Sequence, residues 1–202
     1  MRLYLASANP GKLREFREAA WARGIQLDSV PDLCSLPSCI EDGLSFEDNA
    51  RKKALHYSAR FDGLVFADDS GICVDALNGA PGVHSARFAG PGAHDEANNQ
   101  KLLAELRREE ESNATQVGLS PSRGAHYVCV IVLAQKAQVL AVVDGRVDGL
   151  IIDAPCGSGG FGYDPYFFYP PLGKTFAEIT PEEKFSVSHR GHAFRRLLDS
   201  LS

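Results

Sequence analysis

The chain has 202 residues, 44% of them hydrophobic and 23% charged, with a formal net charge of −5. This is the composition of an ordinary globular protein, read as a single domain over 1–202. The acidic balance counts against nonspecific nucleic-acid binding, which needs clustered Lys and Arg, and no apolar run approaches the roughly 20 residues that span a bilayer.

In chain order, Arg2 to Ser7 reads as a first strand and Gly11 to Arg23 as a helix, with Leu13, Phe16 and Ala20 at helical spacing. A second helix is predicted from Ser45, which has capping-box spacing to Asp48. It is expected to end near Phe61-Asp62-Gly63, with Gly63 as its C-cap. Leu64 to Ala67 is a short strand running into a turn at Asp68-Asp69-Ser70-Gly71. Asp95 to Glu110 is a third helix, burying Leu102, Leu103 and Leu106. The stretch from Arg107 to Gly124 is polar and reads as an exposed loop. Ala125 to Leu133 and Val139 to Val147 form a hairpin around Gln135-Lys136-Ala137, with burial expected on both faces. A last helix follows His189-Arg190-Gly191 and ends near Leu201. Alternating helices and strands, with both crossovers and a hairpin, give an α/β fold with a mixed sheet. No signal-peptide pattern opens the chain, so a cytoplasmic location is expected. The five cysteines (34, 39, 73, 129 and 156) lack CxxC spacing and read as reduced thiols, with Cys73 and Cys129 in the core.

Four clusters carry chemistry. Ser7-Ala8-Asn9-Pro10-Gly11-Lys12 lies between a strand and a helix, where backbone N–H groups and a lysine favour an anion. It lacks the spacing of a Walker A loop. Asp68-Asp69-Ser70 sets two carboxylates side by side, a costly arrangement unless a cation or solvent relieves it, and Mg²⁺ accepts such hard oxygen ligands. Glu41-Asp42-Gly43 adds carboxylates, and Lys53 lies on the following helix. The third cluster is Gly157-Ser-Gly-Gly-Phe-Gly-Tyr-Asp164. Its glycines match a dinucleotide fingerprint, but the β-rich run after Pro165 cannot open the helix such a site requires. It reads instead as backbone that approaches a ligand closely, flanked by Phe161 and Tyr163. The fourth comprises Lys184 and Ser188-His189-Arg190-Gly191, donors suited to ring carbonyls or phosphates. Together they are the parts of a nucleoside triphosphate site.

Ser7-Ala-Asn-Pro-Gly-Lys12, Phe46-Glu-Asp-Asn-Ala50, Ala67-Asp-Asp-Ser-Gly71, Gly79-Ala-Pro-Gly82 with Ser85-Ala-Arg87, Gly159-Gly-Phe-Gly-Tyr-Asp-Pro165 and Ser188-His-Arg-Gly191 resemble the inosine/xanthosine triphosphate pyrophosphatases. The resemblance runs nearly end to end and in order. It implies two lobes around a long, twisted mixed sheet flanked by helices, an active-site cleft between the lobes, and a homodimer. It implies hydrolysis of non-standard purine triphosphates, (d)ITP and XTP, to the monophosphate and pyrophosphate. It assigns the triphosphate to Ser7, Ala8, Asn9, Pro10, Gly11 and Lys12, with Lys53 approaching the phosphates. Asp69 becomes the essential carboxylate and a Mg²⁺ ligand, Asp68 and Glu41 candidate further ligands, and Ser70 a substrate contact. Phe161, Gly162, Tyr163 and Asp164 form the base pocket, completed by Lys184, His189 and Arg190. Three places depart from the family pattern: Ser7-Ala8-Asn9 where many relatives read Thr-Gly-Asn, so that Ala8 narrows the backbone conformations open there, Ile40 where many relatives carry an acid, and Phe185 where they carry a small or polar residue. The alternatives are a Maf-type nucleotide pyrophosphatase acting on pyrimidine or modified triphosphates, and a nucleotide-binding sensor without catalysis.

Overall fold

The computed structural model describes residues 1–114 and 123–201. Five α-helices, α1 (Pro10–Trp21), α2 (Phe46–Ser58), α3 (Asp95–Ala114), α4 (Pro181–Val187) and α5 (His189–Asp199), accompany four short 3₁₀ turns and seven strands among these residues. The strands are β1 (Arg2–Leu5), β2 (Gln26–Ser29), β3 (Val65–Val74), β4 (Gly124–Gln135), β5 (Gln138–Ile151), β6 (Phe167–Tyr169) and β7 (Lys174–Thr175). They hydrogen-bond in the order β2-β1-β3-β4-β5-β6-β7. β1 runs parallel to β2 and β3, and β6 runs antiparallel to β5 and β7, so the sheet is mixed. No helix among the described residues is long and apolar enough to cross a membrane.

The chain forms two compact units. The first comprises Met1–Ser70, Val128–Arg146 and Phe185–Ser202, and the second Gly71–Tyr127 and Val147–Lys184. In the first, the two-residue repeat of β3 and β4 sorts side chains onto opposite faces. Phe66, Cys129, Ile131 and Leu133 pack with Phe16 of α1 and Phe194 and Leu197 of α5. Val65, Ala67, Val130, Val132 and Ala134 pack with Ala50 and Ala54 of α2. Phe16 meets Phe66 edge-on at 5.4 Å and Phe194 at 5.2 Å. Phe185 joins this cluster, 6.4 Å from Phe16, which gives its apolar side chain a packing role. In the second unit, Phe167 lies between Tyr127 and Phe176, with ring centroids 4.7 and 4.8 Å away, and these rings form an aromatic core.

Several sequence expectations are corrected. Asp68-Asp69-Ser70-Gly71 is not a turn but the middle of the ten-residue strand β3. Helix α2 ends at Ser58, with Ala59 as its right-handed C-cap. Gly63 serves packing instead: a Cβ there would meet Tyr4 at 3.1 Å and crowd Phe61, whose ring packs on Tyr4. Residues 107–114 of the expected loop prolong α3, 124 begins β4, and 115–122 lie outside the described residues. Strand β5 is largely half-buried or exposed along its length rather than covered on both faces. Cys129 is buried, but Cys73 is only half-buried, and all five cysteines are free thiols. Strands β2, β6 and β7 and helix α4 are too short to announce themselves by periodicity.

Candidate active site

The alternation of β3 decides which partners its two carboxylates meet. Asp68 shares the face of Phe66, toward α1 and α5, and Asp69 shares the face of Ala67, toward α2. Accordingly, Lys12 of α1 places its Nζ 2.8 Å from Asp68 Oδ2. Arg190 of α5 brings Nε to 3.8 Å from the same oxygen and donates from its guanidinium to Ser70 Oγ at 2.9 Å. Ser70 Oγ in turn donates to Asp68 at 3.2 Å, and Glu15 accepts from Arg190 at 3.2 Å. Burial works against the Asp68 charge, but Lys12, Arg190 and Lys53 outweigh it and hold the carboxyl below its ordinary value. Its second oxygen, Oδ1, is buried without a hydrogen-bond partner, an acceptor left for something else.

On the opposite face, α2 presents Asn49 and Lys53 one turn apart, so both point the same way. Lys53 Nζ lies 3.0 Å from Glu41 Oε2 and 3.4 Å from Asp69 Oδ1. Asn49 Nδ2 donates to Asp69 Oδ2 at 3.1 Å, while its Oδ1 accepts from Gly43 N at 2.8 Å. That second bond ties the loop carrying Glu41 to the helix, and Ser45 caps α2 by accepting from Asp48 N. Burial opposes the charge of Lys53, yet Asp69, Asp68 and Glu41 together keep its ammonium above its ordinary value. Asp69 has only a share of one lysine, so burial dominates and pushes its carboxyl upward against Lys53, Lys12 and Asn49. A carboxylate biased toward taking up a proton suits a general base.

The Ser7–Lys12 segment differs from a bare helix start. Asn9 Oδ1 accepts from Gly11 N at 2.8 Å and Lys12 N at 3.1 Å, and Asn9 O accepts from Leu13 N at 3.1 Å. Pro10 has no N–H to give. The first-turn amides of α1 therefore already have acceptors, and the positive group this segment adds is the Lys12 ammonium. Ser7 Oγ accepts from Asn9 N at 3.2 Å, fixing the approach to the helix.

The second unit holds a separate constellation. Lys184 of α4 and Asp164 are both almost fully buried, with Nζ 2.5 Å from Oδ2. Asp164 Oδ2 also accepts from Phe161 N at 2.9 Å, and Lys184 Nζ sits 4.8 Å from the centre of the Phe161 ring. Tyr163 is turned inward and donates through its hydroxyl to Ser85 O at 2.8 Å. Gly162 N donates to Asp95 Oδ2 at 2.6 Å, and Gly162 O accepts from Asn99 Nδ2 at 3.0 Å. The glycines have structural reasons: Gly157, Gly160 and Gly162 have φ of +80°, +70° and +66°. A Cβ on Gly160 would also strike the Asp164 carboxylate.

Of the residues expected from sequence, Ser7, Asn9, Lys12, Asp68, Ser70 and Arg190 are linked on one face of β3 and Glu41, Lys53 and Asp69 on the other, all in the first unit. Ala8 lies within its leading loop, and Pro10 and Gly11 open α1. His189 is buried as the first residue of α5, after the N-cap Ser188. Lys184 has its partners among Phe161, Gly162, Tyr163 and Asp164 in the second unit. Ile40 is exposed beside Glu41, which alone of the two reaches Lys53. Sequence reasoning missed Asn49, Glu15, Asp95 and Asn99. Asn49 was within reach, as a polar residue four before Lys53 on the face carrying Ala50 and Ala54; the others needed tertiary contacts. No group of three or more His, Cys, Asp or Glu able to hold a metal occurs among the described residues. Glu41 and Asp69, which share the Lys53 ammonium, nonetheless offer hard carboxylate oxygens of the kind Mg²⁺ takes, one or two at a time together with substrate phosphate.

Comparison with known proteins agrees in sequence and in fold. A model of the Ham1 family matches residues 3–200. A dITP/XTP pyrophosphatase of an Exiguobacterium species is 45% identical over 197 residues, covering 98% of this chain and 95% of the relative. The dITP/XTP pyrophosphatase of Yersinia pseudotuberculosis is 44% identical over 203 residues, covering 99% and 98%. Among solved structures, a HAM1 protein from Coxiella burnetii superposes with a TM-score of 0.84 at 37% identity, over 100% of this chain and 98% of the other.

Proposed function

Because the chain belongs to the Ham1 family, we propose that the Asp68–Ser70 strand segment and its lysines are the hydrolytic centre of a house-cleaning nucleotide pyrophosphatase. The chain is a hydrolase of phosphoric anhydride bonds. It converts non-standard purine nucleoside triphosphates, dITP, ITP and XTP, to the monophosphate and pyrophosphate. The Maf-type and silent-sensor alternatives are not favoured, since the relatives of near-full length are dITP/XTP pyrophosphatases.

The observation that carries the catalytic reading is one ammonium shared by two carboxylates: Lys53 between Glu41 and Asp69. Asp69, biased toward protonation, takes the proton of the water that attacks the α-phosphorus. Lys12 and Lys53 offset the charge growing on phosphate oxygens and on departing pyrophosphate; each such group typically contributes about 10²–10³ in rate. Ser7 and Asn9 orient the phosphate chain, and Ser70 contacts it beside Arg190. Asp69 and Glu41 would hold Mg²⁺, with Asp68 a further candidate ligand. Bound there, the ion supplies Lewis-acid polarisation of the phosphate oxygens. Phe161 offers its ring to the purine. Lys184, His189 and Arg190 donate to a 6-keto base, and an adenine amino group would leave those donors unpaired. We assign the protein to the cytoplasm and to a homodimer; sedimentation of the purified chain tests the dimer.

The deciding assay incubates purified protein with a panel of nucleotides and Mg²⁺, detecting pyrophosphate and orthophosphate separately. Pyrophosphate from dITP and XTP, lost on chelation, is the expected result. Orthophosphate as the direct product, or a preference for dTTP or UTP, would reject the assignment.

A further inference from the structure

Both polar groups of Gly162 are held by one face of α3. Its N–H donates to Asp95 Oδ2 at 2.6 Å and its carbonyl accepts from Asn99 Nδ2 at 3.0 Å. Asp95 and Asn99 are four residues apart, so a single helical face grips the residue at two points. Asp95 is free for this task because His94 does the capping, accepting from Ala97 N through Nδ1 at 3.1 Å. The residue so gripped is a conformational pivot. Gly162 has φ of +66°, and its neighbours are the proposed base-stacking Phe161 and the inward-turned Tyr163. Nothing stands within 4 Å of a Cβ built on Gly162, so that side of its backbone is open. Asn99 is buried, and its Oδ1 has no hydrogen-bond partner, so the amide is oriented by the Gly162 contact rather than by a wider network.

We propose that Asp95 and Asn99 are positioning residues for base recognition: by fixing both ends of Gly162 they set the orientation of Phe161, and hence affinity and selectivity for the purine. This rests on the assignment of Phe161 to the base pocket. A helix that only braced the loop would not need to grip an N–H and a carbonyl of the same glycine. Neither residue touches the groups that move protons or stabilise phosphate charge, so loss of the clamp separates KM from kcat. Uniform loss of binding raises KM and leaves the chemical step alone.

The test is steady-state pyrophosphate release by Asp95→Ala, Asp95→Asn and Asn99→Leu with dITP, XTP and dGTP. The exposed Asp95 makes its variants the ones certain to report on a folded chain, checked by circular dichroism. Asp95→Ala is expected to raise KM for dITP and XTP about tenfold, with kcat within about twofold, and to narrow the preference over dGTP. Asp95→Asn keeps an acceptor oxygen for Gly162 N–H and should restore KM to within about twofold of the parent. Asn99→Leu should match Asp95→Ala. An unchanged KM and selectivity in Asp95→Ala, or a fall in kcat alone, would overturn the clamp while wild-type pyrophosphate release still supported the parent reading. A wild-type chain releasing none would remove both.

Discussion

Asp68 and Asp69 are consecutive in one strand, and their surroundings drive their carboxyls in opposite directions. Asp68 Oδ2 lies 2.8 Å from Lys12 Nζ and the group is held below its ordinary value. Asp69 shares Lys53 with Glu41 and is pushed up by burial. The pleat accounts for this split, because neighbours in a strand face opposite sides and meet different helices. One carboxylate is thereby a fixed anion that organises cations, and the other is poised to exchange a proton.

For Asp69, conversion to Asn should lower kcat by about 10²–10⁴, the range general-base catalysis contributes. The raised value means the charged form is less favourable folded than unfolded, so at pH 7 this group costs stability. In metal-free buffer the Asn variant should therefore melt at the same temperature as wild type or higher. A melting point several degrees lower would show that Asp69 holds the fold instead.

Asp68→Asn should behave in the opposite way. A depressed value contributes stability that is present above the unfolded pKa near 3.9 and lost as pH falls through the folded value. In metal-free buffer the variant should be less stable by about 3 kcal/mol at pH 7, as expected when a buried pair loses one partner. The deficit should shrink as pH falls from about 4 toward 2. Urea unfolding of both proteins across that range measures it, and a pH-independent deficit would contradict the ion-pair account.

Lys184 and Asp164 form a pair with side chains only 5% and 3% exposed. Lys184→Met leaves a buried carboxylate without its cation and should cost about 3–5 kcal/mol in urea unfolding. The double variant with Asp164→Asn should lose less than the sum of the singles, because the second change removes the stranded charge.

Gly160 and Gly24 have nearly equal φ, +70° and +68°, but different surroundings. A Cβ on Gly24 meets nothing within 4 Å, whereas one on Gly160 meets Asp164. Gly24→Ala should cost about 1 kcal/mol of backbone strain. Gly160→Ala should cost roughly 1–3 kcal/mol more, the usual penalty of overpacking. Equal losses in thermal unfolding would remove the steric argument.

The α/β class, the first and last helices, the start of α2 and the hairpin were legible because periodicity and caps are local. The acid pair is legible as chemistry but not as geometry: the sequence reads as a turn in which a cation or solvent relieves the repulsion between Asp68 and Asp69. In fact the strand continues through them and each finds its own lysine. The Ser7–Lys12 segment reads in sequence as free helix amides, yet Asn9 occupies them, since a capping residue satisfies its own helix first. Asp95 and Asn99 were invisible because their partner lies 63 to 67 positions away.

Strand β3 also constrains how this sequence can change. Its two acids look interchangeable as text, but a one-residue insertion or deletion between Phe66 and Asp68 would exchange their faces. The position against Lys12 and the position against Lys53 would swap owners, and the proton-accepting role proposed for Asp69 would pass to a residue one step along the chain. Spacing within this strand is thus part of the reaction's wiring, and length changes there should be far less tolerated than substitutions of similar volume.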